Sequence, residues 1–145
     1  MARLAAVWAT REERRILVQG IPLSRKEIEI ARAMGVAHPE RVRLMKVDGI
    51  PLLNGRLVCL LATLFPRIPT QTVGISLRYG IYIHSDQWRD LQLIAHECVH
   101  TSQYERFGSI AAFMKAYFTE CIEIGYPLGP LEQEAIRRAA IVGDR

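Results

Sequence analysis

The chain has 145 residues, half of them hydrophobic and 23% charged, with a formal net charge of +4. A body of this length buries roughly two-thirds of its unfolded surface, which excludes both a disordered chain and a scaffold that depends on disulfide staples. The positive balance could favour an acidic partner, but arginines such as Arg11, Arg14, Arg32, Arg41 and Arg137 are scattered among acidic residues, the pattern of a solvated mixed surface.

In chain order, Met1 to Thr10 holds a short apolar patch, Leu4 to Ala9, cut off by Arg11-Glu12-Glu13-Arg14-Arg15. The patch lacks the hydrophobic region of a signal peptide, so no export by that route is expected. The longest apolar stretch, Leu57 to Phe65, falls well short of the ~20 residues a spanning helix requires, so no membrane span is expected either. Cys59, Cys98 and Cys121 are odd in number, far apart and without Cys-x-x-Cys spacing. Each is expected to be a small buried hydrophobe, and a reducing cytoplasm is the natural compartment. No repeat, low-complexity tract or linker divides the chain, so residues 1–145 are expected to share one core.

Ser24-Arg25-Lys26-Glu27 has the form of a capping box and Gly35 can close what it opens, which predicts a helix over 24–34. After Pro39, the alternation of Val42, Leu44 and Met45 to Val47 predicts a strand, ended by Asp48-Gly49. Apolar density from Leu52 to Phe65 predicts a buried helix stopped by Pro66 and Pro69. Val73 to Leu77 and Gly80 to His84 read as strands joined by a tight turn at Arg78-Tyr79-Gly80. Asp86 is placed to cap a helix from about Gln87 to Phe107, ended by Gly108. Two further helices follow, roughly 109–124 and 130–142, the last with Pro130 in its first turn.

The predicted helix over 87–107 carries His96-Glu97-Cys98-Val99-His100. Residues four apart on a helix lie about 6 Å apart along the axis and ~40° apart around it, so both imidazoles point at one spot and can grip one cation. Glu97 is swung to the flank of that spot, where a carboxylate reaches a water on the cation without becoming a ligand. A chain this short rarely shows such a motif by chance, and here it falls where a helix is independently predicted.

Ile94-Ala95-His96-Glu97-Cys98-Val99-His100, Gln103-Tyr104-Glu105-Arg106-Phe107-Gly108 and Glu132-Gln133-Glu134-Ala135 together resemble the small bacterial zincins of the gluzincin type, over roughly residues 73 to 140. The resemblance implies His96 and His100 as zinc ligands, Glu97 as general base and Glu132, from a downstream Glu-x-x-Ala helix, as third ligand. Glu134 is the rival third ligand, followed by Glu120 and Glu123. Ile136 stands where some relatives have an aspartate, and Arg106 stands where the metzincin motif has its third histidine, which excludes that branch. The resemblance also suggests the strand Gly80 to His84 as the sheet edge beside the cleft, able to pair with an extended peptide. Tyr126, just before the third-ligand helix, can supply a phenol to an oxyanion, with Tyr104, Tyr117 and His84 as rivals. Gln103, one turn past His100 on the same face, is placed to hydrogen-bond behind a ligand.

These readings converge on an α+β fold, a minimal zincin-like domain that is mostly helical, with about three strands packed on the motif helix. The expected function is Zn2+-dependent hydrolysis of a peptide or protein substrate, with Glu97 as base. A non-catalytic, zinc-stabilised protein-interaction module is the alternative. A nucleic-acid binder is a third reading, without a motif to support it.

Overall fold

A computed structural model describes residues 2–51 and 73–143. The helix expected over 52–65, and Cys59 within it, lie outside those residues. The described chain is α+β, with helix dominant and one small mixed sheet. In order its elements are α1 (Ala2–Gln19), β1 (Ile21–Pro22), α2 (Arg25–Ala33), β2 (Arg43–Val47), β3 (Gly74–Leu77), β4 (Gly80–His84), α3 (Leu91–Phe107), α4 (Ile110–Glu123) and α5 (Pro130–Gly143).

The capping box forms as its residue types require: Ser24 Oγ accepts from Glu27 N at 3.3 Å, and Glu27 Oε2 accepts from Ser24 N at 2.7 Å. The motif helix starts later than expected. Residues Ser85–Gln87 make a short 3-10 turn capped by the His84 ring, which accepts from Asp86 N, so Asp86 lies inside that turn and does not cap the motif helix. Arg89, at φ +67°, then redirects the chain, and Asp90 Oδ1 accepts from Leu93 N at 2.7 Å to cap α3. At the other end Gly108 takes φ +81°, donating its N–H to Tyr104 O, a conformation side-chain-bearing residues resist.

Strand order is β1-β2-β4-β3, with β2 parallel to β4 and the outer pairs antiparallel. This corrects the expectation that Gly80 to His84 is the edge. β4 is flanked on both sides, and Gly80, Ile81, Tyr82 and Ile83 are all buried, as a continuous apolar run in a central strand demands. Among the described residues the edge beside the motif helix is β3. Alternation sorts the sheet into two cores. Leu44, Ile81 and Ile83 pack with Ile94, Ala95, Cys98 and Val99 of α3, with Ala31 and Met34 at α2, and with Ala135 and Ala139 of α5. Tyr82 and Leu77 pack with Ala5, Ala6, Ala9 and Ile16 of α1, a core that continues to Phe113 of α4.

The helix α1 was not expected. Its apolar stripe of Ala5, Ala9 and Ile16 is interrupted in sequence by charge, yet Glu13 lies on that stripe and is buried. Its carboxylate accepts from Arg78 Nε and Nη2, both at 2.8 Å, and from Tyr79 N at 3.2 Å, which satisfies the charge and pins α1 to the turn between β3 and β4. Cys98 and Cys121 are free and buried, as expected of small hydrophobes. No described helix is long and apolar enough to cross a membrane.

Candidate metal centre

The middle of α3 is buried from Ile94 to Tyr104, save for His96, which is partly exposed. One helical turn apart, His96 and His100 bring their Nε2 atoms within 3.2 Å of each other, with the rings edge to face. The third side chain comes from the first turn of α5. Glu132 Oε1 lies 3.1 Å from His96 Nε2, and Glu132 Oε2 lies 3.2 Å from His100 Nε2. Ligand atoms on a tetrahedral zinc are roughly 3.3–3.6 Å apart, given bonds of about 2.0–2.2 Å; the two imidazole nitrogens lie near that spacing, and Glu132 turns a different carboxylate oxygen toward each ring. Among the described residues these three are the cluster of three or more His, Cys, Asp and Glu side chains that could hold a metal ion.

Several neighbours set the position of Glu132. Pro130 opens α5, and Glu120 Oε2 accepts from Leu131 N at 2.9 Å, so a glutamate considered as a rival ligand instead caps the helix that carries the ligand. Tyr117 donates its hydroxyl to Glu132 Oε2 at 2.8 Å. Burial works against the Glu132 charge, but hydrogen bonds and charge from His100 and His96 outweigh it and hold the carboxyl well below its ordinary range. For His100, burial lowers the pKa while Glu132 and Glu97 raise it, and the net direction is upward. Two imidazoles and an ionised carboxylate meeting in a nearly dry site form a donor set suited to zinc.

Glu97 lies outside this trio, as the spacing predicts. It is 5% exposed and faces β3, where a Cβ added to Gly74 would come within 2.9 Å of Glu97 Oε1. A side chain at position 74 would displace the Glu97 carboxylate. Burial raises the Glu97 pKa; His96 and His100 pull it down, Glu132 pushes it up, and a backbone hydrogen bond from Ser76 pulls it down. With no ion between the histidines the net shift is upward.

Glu134 is turned away from the trio and binds Arg106, Arg138 and Gln103, with Arg106 foremost in holding its pKa down to about 2. Glu123 is exposed. Tyr126 is half-buried and feels the charges of Glu132 and Glu97, and burial pushes its phenol up to about 12, so it remains a donor at neutral pH. The rivals for the oxyanion role are engaged elsewhere: Tyr104 donates to Ser76 O, Tyr117 to Glu132, and the His84 ring accepts from Asp86 N. Gln103 does hydrogen-bond His100, at 2.8 Å.

The parts missed in the sequence are the bond from Tyr117 to Glu132 and the cap from Glu120. A signal was present: Phe113, Tyr117 and Cys121 form an i, i+4, i+8 stripe on α4, and a tyrosine on such a stripe brings a hydroxyl into the interior. No family model matches the chain, and no curated protein or solved structure is significantly similar to it.

Proposed function

We propose that this protein is a zinc-dependent hydrolase of peptide or protein substrates, with a zincin-like arrangement in which His96, His100 and Glu132 hold the metal. The observation that carries the reading is the convergence of these three side chains on one spot, with a buried carboxylate beside them that is outside the trio. Among the described residues three ligands meet, and three protein ligands leave a coordination position open, the mark of a catalytic rather than a closed structural site. Bound there, zinc supplies Lewis acidity, polarising a scissile carbonyl and acidifying a water.

The protein's own groups then have separate tasks. Glu97, buried on the flank of the trio and not among its ligands, takes a proton from the attacking water and delivers it to the leaving amine. Tyr126, kept protonated and with no described side chain engaging its hydroxyl, donates to the developing oxyanion. Edge strand β3, running beside Glu97, gives an extended peptide a backbone to lie against at Gly74.

The decisive test is Glu97→Gln in the zinc-loaded protein. The expected outcome is retained zinc with peptide hydrolysis reduced about 10²–10⁴-fold. A wild type that binds zinc yet cleaves no peptide in a diverse library, and is indifferent to this substitution, would instead establish the non-catalytic interaction module.

A further inference from the structure

Behind His100 lies a side chain whose hydrogen bonds leave it only one orientation. Gln103 is fully buried, and its Nε2 donates to Leu131 O and to Glu134 Oε2, both at 2.9 Å. An amide nitrogen has two protons, and both are taken by groups that can only accept. Glu134 remains an ionised acceptor because Arg106 and Arg138 bracket it. Turning the amide over would set its oxygen against a carbonyl and a carboxylate, two repulsive contacts around a fully buried side chain. Gln103 Oε1 therefore faces His100 Nδ1 at 2.8 Å, and it can only accept. In the neutral ring the proton therefore sits on Nδ1, which leaves the Nε2 lone pair directed at His96 and Glu132.

The same amide does a second thing. Leu131, whose carbonyl it holds, immediately precedes Glu132, so one side chain on α3 orients the second histidine and also fixes the turn of α5 that presents the glutamate. Among the described residues no equivalent partner faces His96 Nδ1, so the burden of orientation falls on this one position.

We propose that Gln103 is the positioning residue of the metal centre, fixing the Nδ1-protonated form of His100 and coupling it to the docking of α5. The proposal rests on the zinc-site reading above and deepens it.

The test uses the full chain and zinc alone, with affinity measured by competition against a chromophoric chelator and the His100 ring followed by proton–nitrogen NMR of the zinc-loaded protein. Zinc-loaded wild type is expected to show a slowly exchanging proton on His100 Nδ1. Gln103→Met, close in volume but unable to hydrogen-bond, is expected to bind zinc about 10–100-fold more weakly and to lose that slow exchange. The paired exchange Gln103→Glu with Glu134→Gln returns an acceptor to Nδ1 and a donor at position 134 but sets a carboxylate oxygen against Leu131 O, so it is expected to recover part of the affinity lost in Gln103→Met.

A folded Gln103→Met protein with wild-type affinity overturns the proposal, as does a paired exchange that binds no better than Gln103→Met, or a wild-type Nδ1 without its proton. Should Gln103→Met fail to fold, the wild-type NMR signal and the paired exchange decide the matter. A wild type that binds no zinc sinks the site reading itself, whereas a wild type that binds zinc while the variants match it sinks only the role of Gln103.

Discussion

Four glutamates are buried among the described residues, and they divide by location. Glu13, on the α1 side of the sheet, is met by Arg78, and Glu27, under the start of α3, is met by Arg89. Glu97 and Glu132, at the middle of α3 and the start of α5, have only imidazoles as their nearest cationic partners. Burying a carboxylate is costly unless a full positive charge and hydrogen bonds answer it. The first two are answered by guanidinium groups and serve as clamps. The second two are answered by groups that are cationic only when protonated, so the neutral histidine pair leaves room for a divalent cation.

Three experiments press on that contrast. The largest effect is expected at the ligand: Glu132→Ala should lower zinc affinity by more than about 100-fold, beyond what loss of a supporting hydrogen bond produces. The zinc-induced rise in Tm should vanish with it, as a calorimetric scan with and without the metal would show.

Next comes the contrast between clamp and site. Glu13→Gln should destabilise the fold by about 2 kcal/mol, with Arg78 being partly exposed and so partly rescued by solvent, while zinc affinity stays unchanged. The same change at Glu97 removes a strained charge and should leave stability equal or higher. Urea unfolding of both variants checks the signs, and equal losses would erase the distinction drawn here.

The smallest effect is on pH dependence in the presence of a chelator. The His100 pKa is raised above 6.5 in the fold, so its stabilisation is complete below 6.5 and is lost as pH rises through the raised value. The Glu132 pKa is lowered below 4.5, so its stabilisation is complete above 4.5 and is lost as pH falls through the lowered value. The mutual support of His100 and Glu132 should therefore peak between those limits, while the contribution of Glu97, whose pKa is also raised, is complete below 4.5 and is lost as pH rises through its raised value. Zinc should stabilise the protein more as pH climbs above 6.5, because it replaces the departing protons. Melting curves across that range, with Glu132→Gln as a flatter control, measure it.

Much of this was legible from local chemistry. The capping box at Ser24, the alternation in β2 and β4, and the histidine spacing on α3 depend on neighbours a few residues away, and each appears at or near its expected place. What escaped depends on distant partners. Charges at Arg11 to Arg15 hid α1 because Glu13 finds Arg78 across the molecule. The central position of β4 follows from its parallel pairing with β2, which alternation does not encode, and β1, two residues long, offers no period to read. At the site, helix geometry foretold the imidazole pair. The third side chain came from a resemblance, and the hydroxyl behind it, from Tyr117, required the packing of α4 against α3.

Because two donors ride on α3 and the other on α5, an ion between them would act as a staple across a long stretch of sequence that includes all of α4. Opening of the last helix would then require breaking coordination bonds as well as peeling apart Ala135 and Ala139 from the sheet-side core. Amide hydrogens of α5 should thus exchange with solvent far more slowly once zinc is added, making a distant helix the reporter of occupancy.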